Sequence, residues 1–340
     1  MRGLRRIRRL LAAGVPGREE PLRAQRRAAR SAALLVRVFY AANLYLVFRH
    51  LRLWGGLRER EVLDPLWPVA WVPKVGIPEG VDALMTLLLA GAFAAALLPG
   101  WRPARIAAGL GLLGFHALES SFGKINHASH GWVLASLLLI AAPDAGLREL
   151  ERSRLLRQRL LNAFWSAQAM LLLVYSMSGI WKALAVVTQM WRGEVHGLAP
   201  TALALHIAHR LLQTGDESLL GPFFIEHPAL GWAPFAATLY LQVVAIQVAF
   251  RPSLHRSWGA ALIAFHFMVY LTMAVSFHPQ VLLMGILVLA SPFDPGWGWR
   301  RRAADLPLLG AVASRLVGEA PRQAQQAVEG ALGSHRLGDR

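Results

Sequence analysis

The chain has 340 residues with a formal net charge of +16, and 55% of its residues are hydrophobic while only 16% are charged. This composition is too apolar for an ordinary soluble domain, and the excess of arginine lies beside apolar runs with no nucleic-acid-binding module. The chain has no cysteine, which excludes disulfides, thiolate nucleophiles and iron–sulfur clusters. We therefore predict an all-α, polytopic membrane protein whose partner is the lipid bilayer, with no nucleic-acid partner.

The predicted organisation has three parts in chain order. Residues 1–30 are rich in arginine, and no signal-peptide cleavage site follows the first apolar run, which predicts a retained cytoplasmic extension. Residues 31–293 hold eight apolar runs that approach the length of a transmembrane helix, and residues 294–340 form a polar tail that we expect to be cytoplasmic. The eight predicted spans are Ser31–Phe48, Val81–Leu98, Ala104–Leu118, Ser129–Ala142, Asn162–Val187, Ala229–Phe250, Trp258–Val275 and Gln280–Ala290.

Arginines in the short connections predict the orientation of these spans. They cluster in alternate connections, whereas the intervening connections of similar length hold few basic residues. This asymmetry predicts that both termini are cytoplasmic, in the inner (plasma) membrane of a bacterium. The clusters on the predicted inner side are Arg102 and Arg105, the arginines of 148–159, Arg251 and Arg256, and Arg300 to Arg302.

The predicted outer connection from Thr188 to Pro228 is too long for a simple turn. Within it, apolar residues recur every three or four positions from Leu198 to Gln213, and the stretch is too polar to span. This pattern predicts an interfacial or re-entrant helix on the outer side.

Lys182 is the main candidate for chemistry, because ionisable groups inside spans are costly in lipid and mark functional sites. It lies toward the outer end of the fifth predicted span. Two interpretations stay open. The lysine can extend to the lipid headgroups, or an apolar pocket can keep its amine neutral, so that it acts as a base.

Several other ionisable residues lie near the predicted outer rim. His127 and His130 open the fourth span with spacing i, i+3, and Glu119 ends the preceding helix. His206 and His209 repeat this spacing in the predicted interfacial helix. We interpret these groups as catalytic or substrate-binding candidates. Four histidines could also hold a metal or a haem, but the spacing is unspecific and we expect no metal.

Two short motifs resemble the transmembrane region of the vitamin K-dependent γ-carboxylase family and of its bacterial relatives, the horizontally transferred transmembrane (HTTM) domain proteins. Asn126-His127 before an apolar helix is similar to the family's Asn-His motif. Tyr175, Gly179 and Lys182, followed by Trp191, resemble its Tyr, Gly, Lys and Trp pattern. The resemblance implies that Lys182 deprotonates reduced vitamin K or a related quinone. It also implies that His127 assists the reaction with carbon dioxide or an intermediate.

The resemblance implies an enzyme that acts on a lipophilic small molecule. The members of that family that carboxylate proteins carry a large extracytoplasmic domain for the peptide substrate. We do not find such a domain after the last predicted span. We therefore expect quinone-dependent oxygen chemistry or the maturation of a small peptide. Two alternatives stay open: a transporter or assembly protein without catalysis, and a histidine-ligated haem or metal protein. A transporter often shows internal repeats, and none is evident here.

Overall fold

The computed structural model describes residues 19–123, 129–294 and 298–316. Over these ranges the protein is helical and contains no strand, which confirms the all-α prediction. Short 3₁₀ turns, among them Trp67–Val69, Pro228–Gly231 and Pro252–Leu254, and a π-helix, Gly285–Leu289, connect or extend the helices. The α-helices are α1 (Glu19–Arg58), α2 (Val72–Val75), α3 (Ile77–Leu97), α4 (Arg102–Ser120), α5 (His130–Leu139), α6 (Leu147–Arg152), α7 (Arg154–Trp191), α8 (Ala202–Thr214), α9 (Gly221–Glu226), α10 (Trp232–Val243), α11 (Ala245–Ala249), α12 (His255–Met273), α13 (His278–Met284), α14 (Trp299–Ala304) and α15 (Gly310–Leu316).

Three of these helices, α1, α3 and α7, are long and apolar enough to cross a membrane. Two shorter apolar helices, α5 and the stretch formed by α13 and the π-helix, lie among them. Many large apolar side chains remain exposed along α7, as is expected for a surface that faces lipid tails rather than water. These features suggest a membrane protein.

Close contact between α3 and α4 depends on glycine. A Cβ atom at Gly91 would lie 2.6 Å from the backbone of Ala107 and Ala108, and one at Gly111 would lie 2.7 Å from the Cα atom of Leu88. No larger residue fits at these positions without a shift of the backbone. Small residues let membrane helices approach closely, and this pair uses them on both partners.

Helix α7 lies at the centre of the bundle, where it packs against α1, α5, α10 and α11. We name the two ends of the bundle after the ends of this helix, the Arg154 end and the Trp191 end. At the Arg154 end, the buried Arg157 donates hydrogen bonds to the carbonyl groups of Leu150 and Glu151 and to the side chain of Gln25, at 2.8 to 3.3 Å. This arginine therefore joins α1, α6 and α7.

A second buried arginine at the Arg154 end has a similar role. Arg105, at the start of α4, donates to the carbonyl oxygens of Pro99 at 2.7 Å and Ala142 at 2.5 Å. Its guanidinium also pairs with the carboxylate of Asp144 at 2.9 Å. Because the side chain is fully buried, these acceptors replace the water that it loses. Arg105 thus ties the ends of α3 and α5 to α4.

Several helices extend beyond the predicted bounds or break within them; α7, for example, covers Arg154–Trp191 where the sequence predicts Asn162–Val187. The described part of helix α1 already includes Glu19, whereas the predicted span begins at residue 31. Arginine and alanine, which are frequent in these first turns, have high helix propensity, as do many residues of the apolar run. The predicted span Ala229–Phe250 is interrupted at Val244, where α10 ends and α11 begins. The predicted interfacial helix starts at Ala202 rather than Leu198.

Candidate functional site

A large open cavity lies toward the Trp191 end, between α7, α8, α10 and α12. Its volume is about 610 Å³, within the range of cavities that hold one small molecule. Most of its wall is apolar, and Phe235, Phe265 and Phe277 contribute aromatic rings. The polar or ionisable residues that line it are Lys182, Gln189, His206, Arg210, Thr238, Gln242 and Thr272. We call it the Lys182 cavity.

Lys182 is accessible from this cavity rather than enclosed by the packing of the helices. Its Nζ atom donates a hydrogen bond of 2.7 Å to Oε1 of Gln242 on α10. Among the residues that the structure describes, no aspartate or glutamate lines the cavity. The amine therefore meets a neutral acceptor, and the cavity wall supplies no carboxylate to balance a positive charge.

The approach of α10 to Lys182 depends on Gly179. A Cβ atom at this position would lie 2.4 Å from the backbone nitrogen of Val243 and 2.7 Å from the carbonyl carbon of Gln242. Only glycine leaves room for the backbone of α10, one turn of α7 before Lys182. The Gly179 predicted as a site residue therefore acts by allowing the contact that brings Gln242 to the amine.

The interruption of the helix at Val244 lies next to this contact. The residue has a backbone conformation outside the regular helix, so that α10 and α11 are separate helices. The hydroxyl of Ser176 accepts a hydrogen bond of 2.8 Å from the backbone nitrogen of Ile246, at the start of α11. Inside a membrane, a broken helix needs such a partner for its freed backbone groups.

Tyr175 lies one turn of α7 before Gly179 and contacts α12. Its hydroxyl forms a hydrogen bond of 2.5 Å with Nε2 of His266, and both side chains are buried. His266 therefore forms a hydrogen bond between α7 and α12. The imidazole also packs against the rings of Phe265 and Phe277, which line the cavity. The pair therefore supports the wall of the cavity from behind.

Helix α8 brings His206 and Arg210 to the cavity. The imidazole of His206 stacks on the ring of Phe235, with the two ring planes at 24°. One turn later, the guanidinium of Arg210 lies 3.8 Å from the carboxylate of Asp216, a loose ion pair. His209 is exposed and does not line the cavity. Of the two predicted histidines in this helix, only His206 is near Lys182.

Three other predicted site residues do not line the Lys182 cavity. Trp191 is 91% exposed at the end of α7. Glu119 accepts a hydrogen bond of 3.0 Å from Nδ1 of His116 when that nitrogen is protonated, and it borders a separate cavity with Arg52. His130 begins α5 and does not line the cavity either.

The start of α5 lies at a different level of α7 from Lys182. Its Gly131 packs against Leu171, and Lys182 follows eleven residues later, roughly 16 Å along a helix that rises 1.5 Å per residue. Asn126 and His127 lie outside the described residues, so that the predicted catalytic role of His127 stays a prediction.

The alternative of a histidine-ligated metal can be examined over the described ranges. There, no group of three or more histidine, cysteine, aspartate or glutamate side chains is close enough to hold a metal ion. His206 and His209 also differ in their surroundings, since one lines the cavity and the other does not. Within those ranges, the geometry gives no support to a four-histidine site.

Gln242 and Arg210 are two of the cavity residues that the sequence interpretation missed. Gln242 is a polar residue inside a predicted apolar span, and the rule that selected Lys182 would have selected it too. Arg210 carries no such signal, because an arginine in an amphipathic helix is ordinary.

Comparison with known proteins gives no further assignment. No protein-family model, curated protein or solved structure matches this chain. The resemblance in the two motifs stays a prediction, and the cavity is described here by its own geometry and chemistry.

Proposed function

We propose that this protein is a membrane-embedded enzyme in which Lys182 acts as a general base on a weakly acidic, lipophilic substrate. A reduced quinone is the substrate that the motif resemblance implies. The single observation that supports this proposal most is the position of the Lys182 amine. It lines an apolar cavity of about 610 Å³ and bonds there to the neutral amide of Gln242.

The surroundings of Lys182 suit an amine that exchanges a proton. A lysine whose only role is to hold the fold is expected to have a carboxylate or several carbonyl partners, as Arg105 does. Lys182 has Gln242 instead, and the rest of its surroundings in the cavity are mostly apolar. The neutral amine accepts a proton at Nζ, and the Gln242 carbonyl holds Nζ in one place before and after the transfer.

The cavity fits a ring-bearing lipophilic molecule by its chemistry, because three phenylalanine rings and the aliphatic wall give it an apolar body and Lys182 gives it one reactive group. When bound, reduced vitamin K or the reduced form of a related quinone would supply an acidic hydroxyl and reducing electrons for chemistry with oxygen. His127 remains the proposed assisting group by resemblance.

The proposed setting is a bundle of eight spans with both termini in the cytoplasm. Helices occupy each of the eight predicted stretches, and the arginine clusters fall in alternate connections. Helix α8 is then the interfacial or re-entrant helix on the outer side. Reporter fusions after Ala145 and after Gly215 test this topology, which requires opposite sides. Finding both fusions on one side contradicts it.

The activity is tested by variants that separate charge from proton exchange. Arginine keeps a positive charge and a long side chain, but it does not release its proton near neutral pH. Lys182→Arg and Lys182→Ala should therefore lose turnover of a reduced quinone equally, by at least about a hundredfold. The measurement is oxygen-dependent turnover of reduced vitamin K by protein in nanodiscs. Small amines added to the Lys182→Ala protein should restore part of the rate.

The matched control is Lys74→Ala, because Lys74 is an exposed lysine in the short helix α2, outside the cavity. It should retain full turnover. Turnover in Lys182→Arg that equals the unsubstituted protein would remove Lys182 as the base.

A transporter is the second candidate, and the interruption at Val244 favours it. Transporters often place broken helices beside the substrate site, and a π-helix follows at Gly285–Leu289. Uptake of a lipophilic substrate into proteoliposomes without chemical change would support this candidate. Conversion of the substrate by the same preparation supports the enzyme.

A further inference from the structure

The polar side chains of the Lys182 cavity offer hydrogen-bond donors and few acceptors. When protonated, lysine has three N–H donors and no acceptor, and Gln242 receives one of them. The amide of Gln242 must present its oxygen to Nζ, so that its NH₂ group, with two donors, remains for another partner. The point of contact between α7 and α10 is therefore a cluster of N–H groups.

Gln189 repeats this arrangement at the next part of the wall. Its Oε1 atom accepts a hydrogen bond of 3.2 Å from the backbone nitrogen of Gly197. The amide oxygen is thus used to hold the loop, and the NH₂ group is left as a donor. Two glutamines of the cavity therefore use their oxygens within the protein.

Arg210 adds a second cation with a spare donor. Its Nε atom is buried and has no hydrogen-bond partner among the described residues. The ion pair with Asp216 is loose, at 3.8 Å from Nη2, and does not involve Nε. Asp216 itself does not line the cavity. The lining residues thus include a lysine and an arginine and, over the described ranges, no acid.

We propose that the Lys182 cavity binds a lipophilic anion, an amphiphile with one carboxylate or phosphate head and a single apolar body. The head accepts hydrogen bonds from Lys182 and the Gln242 amide, and the apolar body lies against the phenylalanine wall of α10 and α12. A volume of about 610 Å³ accommodates one chain or ring system rather than a two-chain phospholipid. The anion supplies the negative charge that the wall of the cavity lacks.

This inference rests on the proposed function for the role of the cavity as the substrate site, and it adds amphiphilic acids to the weakly acidic hydroxyl compounds that the site would take. An acid that binds neutral Lys182 transfers its proton to Nζ and remains as the paired anion. An aliphatic alcohol or an ester of the same length has no acidic proton to give. The head group therefore decides affinity, while the apolar body contributes equally for all members of a series.

The test is a comparison of head groups on one chain. Radiolabelled palmitate, methyl palmitate, hexadecyl phosphate and hexadecyltrimethylammonium are bound to the protein in nanodiscs of neutral lipid, with empty nanodiscs as the background. We expect palmitate and hexadecyl phosphate to bind at least about tenfold more tightly than the ester, because each gains charge-assisted hydrogen bonds. The cationic compound should bind most weakly. A carboxylate that binds while the phosphate does not restricts the inference to carboxylic acids and contradicts its phosphate part.

Variants connect this preference to the named residues. Lys182→Met should abolish the preference for palmitate over its ester, and Arg210→Gln should reduce it by a smaller factor because Asp216 already pairs with Arg210. Arg192→Gln is the matched control, since Arg192 is an exposed cation at the end of α7 that does not line the cavity. Equal binding of palmitate and methyl palmitate overturns the inference, as does a preference that persists in Lys182→Met.

Lys182→Arg separates this inference from the proposed function. Arginine keeps the charge that an anion needs but not the exchangeable proton that a base needs. Retained preference for palmitate with lost turnover supports both proposals. Retained turnover contradicts the base, and loss of head-group preference in this variant contradicts the inference that charge decides binding.

Discussion

The two ends of the bundle treat their cationic side chains differently. At the Arg154 end, the buried Arg105 and Arg157 each bond to two main-chain carbonyl groups and to one further side chain. At the cavity, Lys182 bonds to one neutral amide, and Arg210 has a single loose ion pair of 3.8 Å with Asp216. The side chains are similar in chemistry, but the number and closeness of their partners differ. We infer that a cation with several close partners in the chain holds helices together, whereas one with few is left for a ligand.

The largest effect that distinguishes the two ends is expected at Arg105. Arg105→Leu removes the donor for the carbonyl groups of Pro99 and Ala142 inside the packed chain. The free energy of unfolding should fall by about 3 kcal/mol, because hydrogen bonds to charged groups are lost and two acceptors lose their partner. The measurement is unfolding by SDS in mixed micelles. Arg102→Leu, at an exposed arginine in the same helix turn, is the control and should change it little.

The close contact beside the cavity gives the next effect. Gly179→Ala places a Cβ atom 2.4 Å from the backbone of Val243, so that α10 must move away from α7. We expect a loss of about 2 kcal/mol in the free energy of unfolding, together with weaker contact between Lys182 and Gln242. Gly55→Ala is the control, because nothing lies within 4 Å of its Cβ position. An equal change in both variants would contradict the close contact.

A smaller effect is expected behind the cavity wall. Tyr175→Phe removes the hydroxyl that bonds to His266, and the buried imidazole is then left without that partner. Hydrogen bonds between membrane helices contribute about 1 kcal/mol, which sets the expected loss in unfolding free energy. Tyr270→Phe, at a tyrosine of α12 that is exposed, provides the comparison. A double-mutant cycle with His266→Leu should recover most of the Tyr175 effect as coupling, and independent effects would show that the bond contributes little.

The smallest effect should come from Lys182 itself. Lys182→Met keeps a long, unbranched side chain, and it removes the amine together with its one hydrogen bond to a neutral amide. The free energy of unfolding should change by less than about 0.5 kcal/mol, in contrast with Arg105→Leu. A loss as large as that of Arg105→Leu would make Lys182 a structural residue and would remove the difference between the two ends.

Much of the helical layout follows from the sequence alone. In an apolar run of bilayer length, the backbone N–H and C=O groups must bond to one another, and an α-helix achieves this. The predicted runs therefore coincide with the long apolar helices α1, α3 and α7. The interruption at Val244 could not be predicted from the sequence, because no glycine or proline lies at that position. It depends on Gly179 and Ser176, which lie far away in the chain and receive the displaced backbone.

The site was predictable only in part, for a related reason. A single sequence is enough to identify a lysine inside a span as a candidate, because the free-energy cost of placing it in lipid depends on its own side chain. Its partner Gln242 lies 60 residues away, and Tyr175 and His266 are separated by 91. Such pairs arise from packing between helices and leave no periodic pattern. The predicted rim of histidines likewise combined His206, which lines the cavity, with His130 and His209, which do not.

The interruption between α10 and α11 also has a mechanical meaning. A continuous helix bends as a stiff rod, whereas two short helices that meet at one residue can tilt about that joint. Helix α11 is anchored to α7 through the Trp165 side chain, which bonds to the carbonyl of Ala249, and through Ser176. Helix α10 carries Phe235 and Gln242 on the other side of Val244. The joint therefore separates the part of the cavity wall that α10 supplies from α11, which these two hydrogen bonds hold to α7.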